Sequence, residues 1–557
     1  MNSDDALPPV PRTRAEARAL RALQEAQDAA AQGAAAHAGA AEIPAADAPT
    51  PEAAGPAVPD EPAAPAAEVP LPWHPNPPLA DHPVQAGIEV PGTPAEPTPA
   101  PRRSRRAFAL TLTAVLVVLG LVTAGLSYLS LTQGPRVVQV HADPAEAIAL
   151  SGSRVILTTN QPLAEIDASQ VSVTPAVPFT IDVAGRQVGV RFTVPLDDDT
   201  EYTVRVAGAT GVGGGPAADL ATTFTTPASE VYLLQRTDQD DTIFVTDLSG
   251  ERAIPVFTHE RINDFREAGD ALVVVVEEEE NSRVLVVGKD GVVRRDLTLP
   301  GDGYVSSVQV SDRGDLAGFI YSDRDLSETQ GRASVLVTQT INTPSEPEIV
   351  TVAGSVASIG EWQFVPDSSS VVFIDFTGTL FVSDPTQDAE PSPMGLALSI
   401  QGLERGTYTA VIQRADGSLF RLNLADGSES DFSGLNPALG VTMGIVPFPG
   451  GTVQHVVARD ENGIPIGQSA VRIDDDGTAT VVMETGQSES IMQVCPSPSG
   501  QYLAVTLAPD LLNNAYDDLL LPVPQRTETH LYDLRSGEKL VALTGFDISW
   551  CAVAPIL

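Results

Sequence analysis

The sequence predicts an all-β body on a membrane anchor: a small sandwich, then a seven-bladed β-propeller, both carried by one transmembrane helix behind a disordered N-terminal tail. Three observations predict it. Residues 107–131 run for 25 positions without a charge, and about 20 apolar residues suffice to cross a bilayer as a helix. From residue 136 the apolar period becomes two, the mark of half-buried strands. From residue 229 strand–turn–strand units recur about every 45 residues, the spacing of propeller blades.

The tail, residues 1–106, carries 8 arginines against 14 acids, a net of −6 within the chain's −41. Residues 12–36 are rich in Ala, Arg, Glu, Leu and Gln, strong helix formers, with Leu20 and Leu23 as a thin apolar stripe. That predicts a marginal helix ordered by a cytoplasmic partner or by the inner membrane face. From Glu42 to Pro101 the chain is Pro, Ala and Glu with too little apolar content to bury a core, which predicts disorder. Trp73 and His74 within it read as incidental rather than as a docking motif.

The anchor is flanked by Arg102, Arg103, Arg105 and Arg106 on one side and by Thr132-Gln133-Gly134-Pro135 on the other. The positive-inside rule keeps the arginines in the cytoplasm and exports the C-terminal part. Val122-Thr123-Ala124 offers small residues for a signal peptidase, but the stretch ahead exceeds a normal n-region, so an uncleaved single-pass anchor is expected. The exported part carries 59 acids and 24 bases; so acidic a body repels nucleic acid. Lysine occurs only at Lys289 and Lys539 while Ala and Arg abound, the codon bias of a high-GC genome such as an actinobacterium's, and the Arg/Ala/Glu segment at 12–36 resembles those opening many actinobacterial envelope proteins.

In residues 136–227, the segments at 154–159, 187–194 and 202–206 alternate apolar with polar residues and are separated by Gly- and Pro-containing turns. About ninety residues of such short strands make a sandwich. Asn160-Gln161-Pro162-Leu163, Val171-Ser172-Val173-Thr174-Pro175, Thr223-Phe224-Thr225-Thr226-Pro227 and above all residues 194–204 resemble the bacterial Ig-like domain of the SbsA S-layer type. The resemblance implies an Ig-like sandwich without a disulfide, used as a spacer or binding module and with no catalytic motif residue. Asp197, Asp198 and Asp199 read as a solvated hairpin tip, being too few for a calcium shell.

In residues 229–557, apolar strands at 243–258, 419–432 and 531–544 end at Asp-Leu or Asn-Leu, turn at a Gly and return. The Gly supplies the positive φ that a tight hairpin requires. Residues 364–373 and 495–505 resemble the S-P-D-G-x-x-L-A repeat of TolB-like and WD-repeat propellers. Later blades open near Ile262, Tyr304, Ala357, Ser399, Ala438 and Glu489. Residues 230–258 then lack an inner strand and 547–555 supply one, so the C-terminal strand closes the ring as part of the first blade and hides the open edge. Cys495 and Cys551 align in the repeat on inner strands of neighbouring blades. A disulfide there would seal the seam and be worth about 4 kcal/mol by loop entropy; the alternative is two free thiols held beyond the roughly 7 Å bridging limit.

Catalytic signals are lacking: no G-x-S-x-G occurs, and His259-Glu260 leads to Asn263 where a zinc motif needs His. Asp238–Asp241 and Asp474–Gly477 are partial calcium loops without the closing Glu, and no metal or cofactor is expected. Two connections between second and third blade strands are long, residues 322–331 and 509–527. Blades three and seven lie nearly opposite in a seven-membered ring, so both loops overhang one channel mouth. The second holds Leu511, Leu512, Tyr516, Leu519, Leu520 and Leu521, an apolar set suited to a partner site unless it folds back onto its own blade. The leading expectation is a non-enzymatic, single-pass cell-envelope protein displaying a propeller that binds an envelope protein or polymer. The alternative is a propeller enzyme acting on envelope polysaccharide through paired channel acids, and a third reading is a plain spacer.

Overall fold

The charge-free run folds as one helix. In the computed structural model, which describes residues 105–278, 281–311, 315–327, 329–434 and 437–555, α1 spans Arg105–Thr132. The tail's expected helix, its Pro/Ala-rich stretch and the Trp73-His74 pair lie outside the described residues. Among the described residues, one helix is thus long and apolar enough to cross a membrane, with none of its 108–125 stretch buried in the protein. Its Thr113 and Thr123 hydroxyls donate to the carbonyls of Ala109 and Leu119, at 2.9 and 2.6 Å, which satisfies them without water.

Next come β1 (Val137–Ala142), α2 (Pro144–Ala149), β2 (Arg154–Thr159), β3 (Val171–Thr174), β4 (Phe179–Ala184), β5 (Gln187–Phe192), β6 (Glu201–Ala209) and β7 (Ala218–Thr225). The Asp143 carboxylate caps α2 by accepting from Glu146 N, and Pro144 starts the helix where its missing N–H costs nothing. One sheet runs β1-β2-β5-β4 and the other β3-β6-β7. The period-two pattern turns Leu157, Val188, Val190, Val204 and Val206 into a single core between the two sheets. The β4–β5 turn is two residues, with Gly185 at φ +58°; a side chain there would strain the backbone.

From Glu230 onward, the described residues form seven blade sheets in chain order, each an antiparallel meander whose strands run from the inside of the ring outward, and a separate two-stranded hairpin, Thr351–Val352 with Ser355–Val356, between blades three and four. Their first strands begin at Ile262, Gly303, Ile359, Ser399, Val441 and Ser490 for blades two to seven. Blade one has only three strands of its own, Glu230–Gln235, Asp241–Asp247 and Ala253–His259. The C-terminal segment lies along its inner edge: Leu234 and Phe546 exchange backbone hydrogen bonds at 3.0 and 2.9 Å, and Ser549 N donates to Tyr232 O at 2.9 Å. It is a bridge rather than the full strand expected from the repeat. Asp547 takes φ +56° and turns its carboxylate toward Arg266, which interrupts the ladder.

Each inner strand presents unpaired backbone groups to the channel, and polar side chains of the preceding blade cover several of them. Asp264 accepts from Val308 N, Gln309 accepts from Phe364 N and donates to Trp362 O, and Glu361 accepts from Ile400 N. Burial pushes the Glu361 carboxyl up to about 7, opposed only by that one N–H.

The sandwich meets the turns between first and second and between third and fourth blade strands. The Asp198 carboxylate, 4% exposed, accepts from Tyr502 Oη and Ser229 N at 2.8 Å each, while its backbone N–H donates to Gln501 Oε1 at 2.9 Å. Asp197 pairs with Arg535 at 2.7 Å. On blade four, Asp367 accepts from Ser151 N and from its hydroxyl. In blade five, Gly406 has φ +74°, and a Cβ there would lie 2.1 Å from Thr193 O. The solvated tip expected at Asp197 and Asp198 is therefore corrected: both are junction residues, and only Asp199 faces solvent. Asp198→Ala should lower unfolding free energy by roughly 2–3 kcal/mol, the scale of losing hydrogen bonds to a charged acceptor. Denaturant unfolding of the purified chain checks this, with Tyr502→Phe giving a smaller loss because Ser229 keeps its partner.

Candidate binding face

Blades four and seven lie nearly opposite in the ring, so a sandwich touching both straddles the lower mouth of the channel. What it leaves open is the other face, built from the loops joining second to third strands and fourth strands to the next blade. The channel between is occupied on the seam side. Arg266 N–H groups donate to Asp264 at 2.9 Å, to Asp547 at 2.7 Å and to Ala552 O at 3.3 Å, and Gln493 donates to Val553 O at 2.7 Å. The chain's last described residues thus cross between the inner strands of blades two and seven. Asp264, Arg266 and Asp547 are each 1–2% exposed. Burial holds the Asp264 carboxyl above its usual range, with Arg266 pulling it back and Asp547 adding to the rise.

Cys495 and Cys551 are joined, with Cα atoms 5.6 Å apart. They sit in one apolar cluster with Val231, Leu233, Leu531 and Ile548, which spans blades seven and one.

The 509–527 loop neither dangles nor folds onto its own blade. It makes one 3-10 turn at Leu511–Asn513 and a short bridge between Tyr516 and Pro524. The Asn514 carboxamide pins its two ends, donating to Pro509 O and Arg526 O and accepting from Arg526 N, at 2.7–3.0 Å. Its middle crosses the seam. Arg236, after the first strand of blade one, donates to Asp517 at 2.8 Å and to Leu521 O at 2.9 Å, and also to the carbonyls of Ile262 and Asn263 on blade two. Val523 enters the core shared by blades one, two and seven. Of the six residues expected at a partner site, Leu519 is buried and Leu521 half-buried, both turned inward as the loop crosses. Leu511, Leu512, Tyr516 and Leu520 remain outside, Leu512 at 91% exposure. Sequence pattern alone could not separate these two sets, because a loop has no period to assign a face.

Blade three's long loop also folds back. Arg332 reaches Asp323 at 2.8 Å and lies over the Tyr321 ring, leaving Leu326 exposed at the tip. Between blades two and three, Glu278, Arg283, Asp296 and Asp302 line a pocket of about 470 Å³. Arg283 pairs there with Glu278 and Asp296. Among the described residues no group of three or more His, Cys, Asp or Glu is placed to hold a metal ion.

No family model matches the chain, and no curated protein matches it. Solved structures similar to it include the β-propeller domain of Cps50 (Swd1) from Myceliophteria thermophila, 11% identical over 51% of this chain and 86% of that one, TM-score 0.34. The uncharacterized protein lmo1340 from Listeria monocytogenes is 10% identical over 57% and 92%, TM-score 0.37. The propeller assignment rests on the chain's own seven blades.

Proposed function

We propose that this chain is a non-enzymatic, single-pass membrane protein of the cell envelope whose Ig-like domain holds a propeller for binding an envelope protein or wall polymer. The observation that carries the reading is the junction. The sandwich contacts blades four, five and seven on one face, so the opposite face, with its long folded loops, is the one left for a partner. Loops held on a rigid scaffold are where binding resides. The strand orders β1-β2-β5-β4 and β3-β6-β7 correspond to the ABED and CFG sheets of an Ig constant-type domain. The Tyr202 hydroxyl at the start of β6 accepts from Asp197 N, in the manner of a tyrosine corner. These support the SbsA-type reading of residues 136–227. The flanking arginines and the apolar length of α1 support a cytoplasmic tail and an exported body.

An enzyme working in the channel would need two free carboxylates facing a substrate. The acids found as a close pair there, Asp264 and Asp547, are both held by Arg266 and are almost wholly buried. That favours binding over catalysis.

The test is capture from envelope extract by the full-length chain and by a twin in which residues 509–527 become a short Gly/Ser loop. A partner retained by the first and lost by the second is the expected result. Equal capture by both would remove this loop from the binding face.

A further inference from the structure

We propose that the occupant of this face is a cationic amphipathic polypeptide segment, which specifies the chemistry of the binding reading above and rests on it. The observation is a pairing of two features in the same loops. Large apolar side chains stand in solvent around the open rim: Leu326 on blade three, Phe376 and Leu398 on blade four, Ile464 on blade six, and Leu512 and Tyr516 on blade seven, each at least half exposed. On the sandwich side of the ring, the described turns expose only Val292 and Tyr408 in this way. Monomeric proteins seldom gather exposed apolar groups on one face unless something covers it.

The charges beside them are one-sided. Asp238, Asp240, Glu260, Asp325 and Glu461 are exposed in these loops, and their carboxylates have no partner among the described hydrogen bonds and ion pairs. Most of the arginines are already matched, Arg236 with Asp517, Arg261 with Glu277, Arg332 with Asp323 and Arg526 with Asp510, while Arg459 donates to the Gly463 carbonyl and has no ion pair among the described residues. Both lysines sit at turns on the sandwich side, Lys289 within one and Lys539 just after another. The face therefore offers apolar contact together with unbalanced negative charge. A second copy of the chain would set the same acids against one another. An anionic lipid surface or a nucleic acid would be repelled. A segment with Leu or Phe on one side and Lys or Arg on the other matches both features.

The experiment uses the full-length chain in zwitterionic nanodiscs, with empty discs as the baseline. The probes are three fluorescein-labelled peptides of equal length: an amphipathic Leu/Lys helix, its Leu/Glu twin and a Ser/Lys twin. We expect the Leu/Lys peptide alone to bind, more weakly as salt rises. Binding should fall at least about tenfold in a Phe376→Ser, Leu398→Ser, Ile464→Ser, Leu512→Ser variant. Because these side chains are exposed, the variant should keep its unfolding midpoint. A second variant, Asp238→Asn, Asp325→Asn, Glu461→Gln, should lose most of the salt dependence.

Equal binding of Ser/Lys and Leu/Lys would mean charge alone and overturn the proposal, as would binding that survives both variants. Recruitment of phosphatidylglycerol vesicles, or face-to-face dimers in sedimentation, would assign the face to lipid or to a second copy and overturn it too. If the peptide fails while loop-dependent capture from envelope extract succeeds, this chemistry falls and the binding face stands. If both fail, both fall.

Discussion

Arg266→Met is expected to be the most damaging single change in the protein, costing roughly 3–5 kcal/mol near neutral pH, the range for removing one member of a buried ion network. Met fills most of the volume but leaves Asp264 and Asp547, each 2% exposed or less, facing one another without a counter-ion. It also frees Ala552 O, to which the same guanidinium donates. The pH dependence has a definite sign. Burial already raises Asp264 above its unfolded value, and Arg266 is what restrains the rise. A carboxyl raised on folding binds more protons in the native state, so its contribution is full below the unfolded pKa near 4 and fades as pH climbs through the raised value. Losing the guanidinium raises Asp264 further, so the variant's deficit should be larger at about pH 8 than at about pH 5. Denaturant unfolding at both values measures it. Asp264→Asn with Asp547→Asn in the Met background should recover most of the loss, because neutral amides leave no buried charge. A variant that is no less stable than the parent, or whose deficit grows on acidification, would rule this account out.

Removing the disulfide ranks next. Cys495 and Cys551 are 56 residues apart in sequence, and the loop-entropy model puts closure of such a loop at about 4 kcal/mol. Cys551→Ser, or reduction by a dithiol, should cost that or somewhat less. The ring has further clasps: the Leu234–Phe546 bridge with the Ser549–Tyr232 hydrogen bond beside it, the Arg266–Asp547 pair and Arg236 holding the 509–527 loop across the seam. Loss of the disulfide alone should therefore loosen the seam without dismantling the blades. Amide exchange should quicken at residues 546–555 and at Leu234, while inner strands of blades three to five keep their protection. Uniform quickening across all seven blades would mean that the disulfide is the principal closure and the other clasps are weak.

Much of this architecture was legible in the chain because it is written in local periods. A charge-free stretch becomes a helix whatever surrounds it, and period-two alternation in β2, β3 and β6 sends Val155, Leu157, Val171 and Val204 to one side by geometry alone. The repeat placed the blade starts near Ile262, Ser399 and Glu489, within a few residues of the inner strands at Ile262, Ser399 and Ser490, since each blade is a local meander closed by its own turns. The unpaired edge of blade one likewise announced itself, as a missing strand at one end of the repeat and a surplus one at the other.

What the sequence could not determine lies between elements distant along the chain. Asp198 looked like a hairpin acid until folding brought Tyr502 to it from 304 positions away. Arg266 and Asp547, 281 positions apart, meet only because the ring closes, and no period relates them. The split within residues 511–521, with Leu519 inside and Leu512 out, depends on Arg236 and Asp517 meeting across the seam. Local sequence determined which strands and helix form, because backbone sterics and apolar periodicity act over a few residues. Tertiary structure alone decided which face stays open and which charges are buried, because burial and pairing belong to whatever chain arrives from elsewhere.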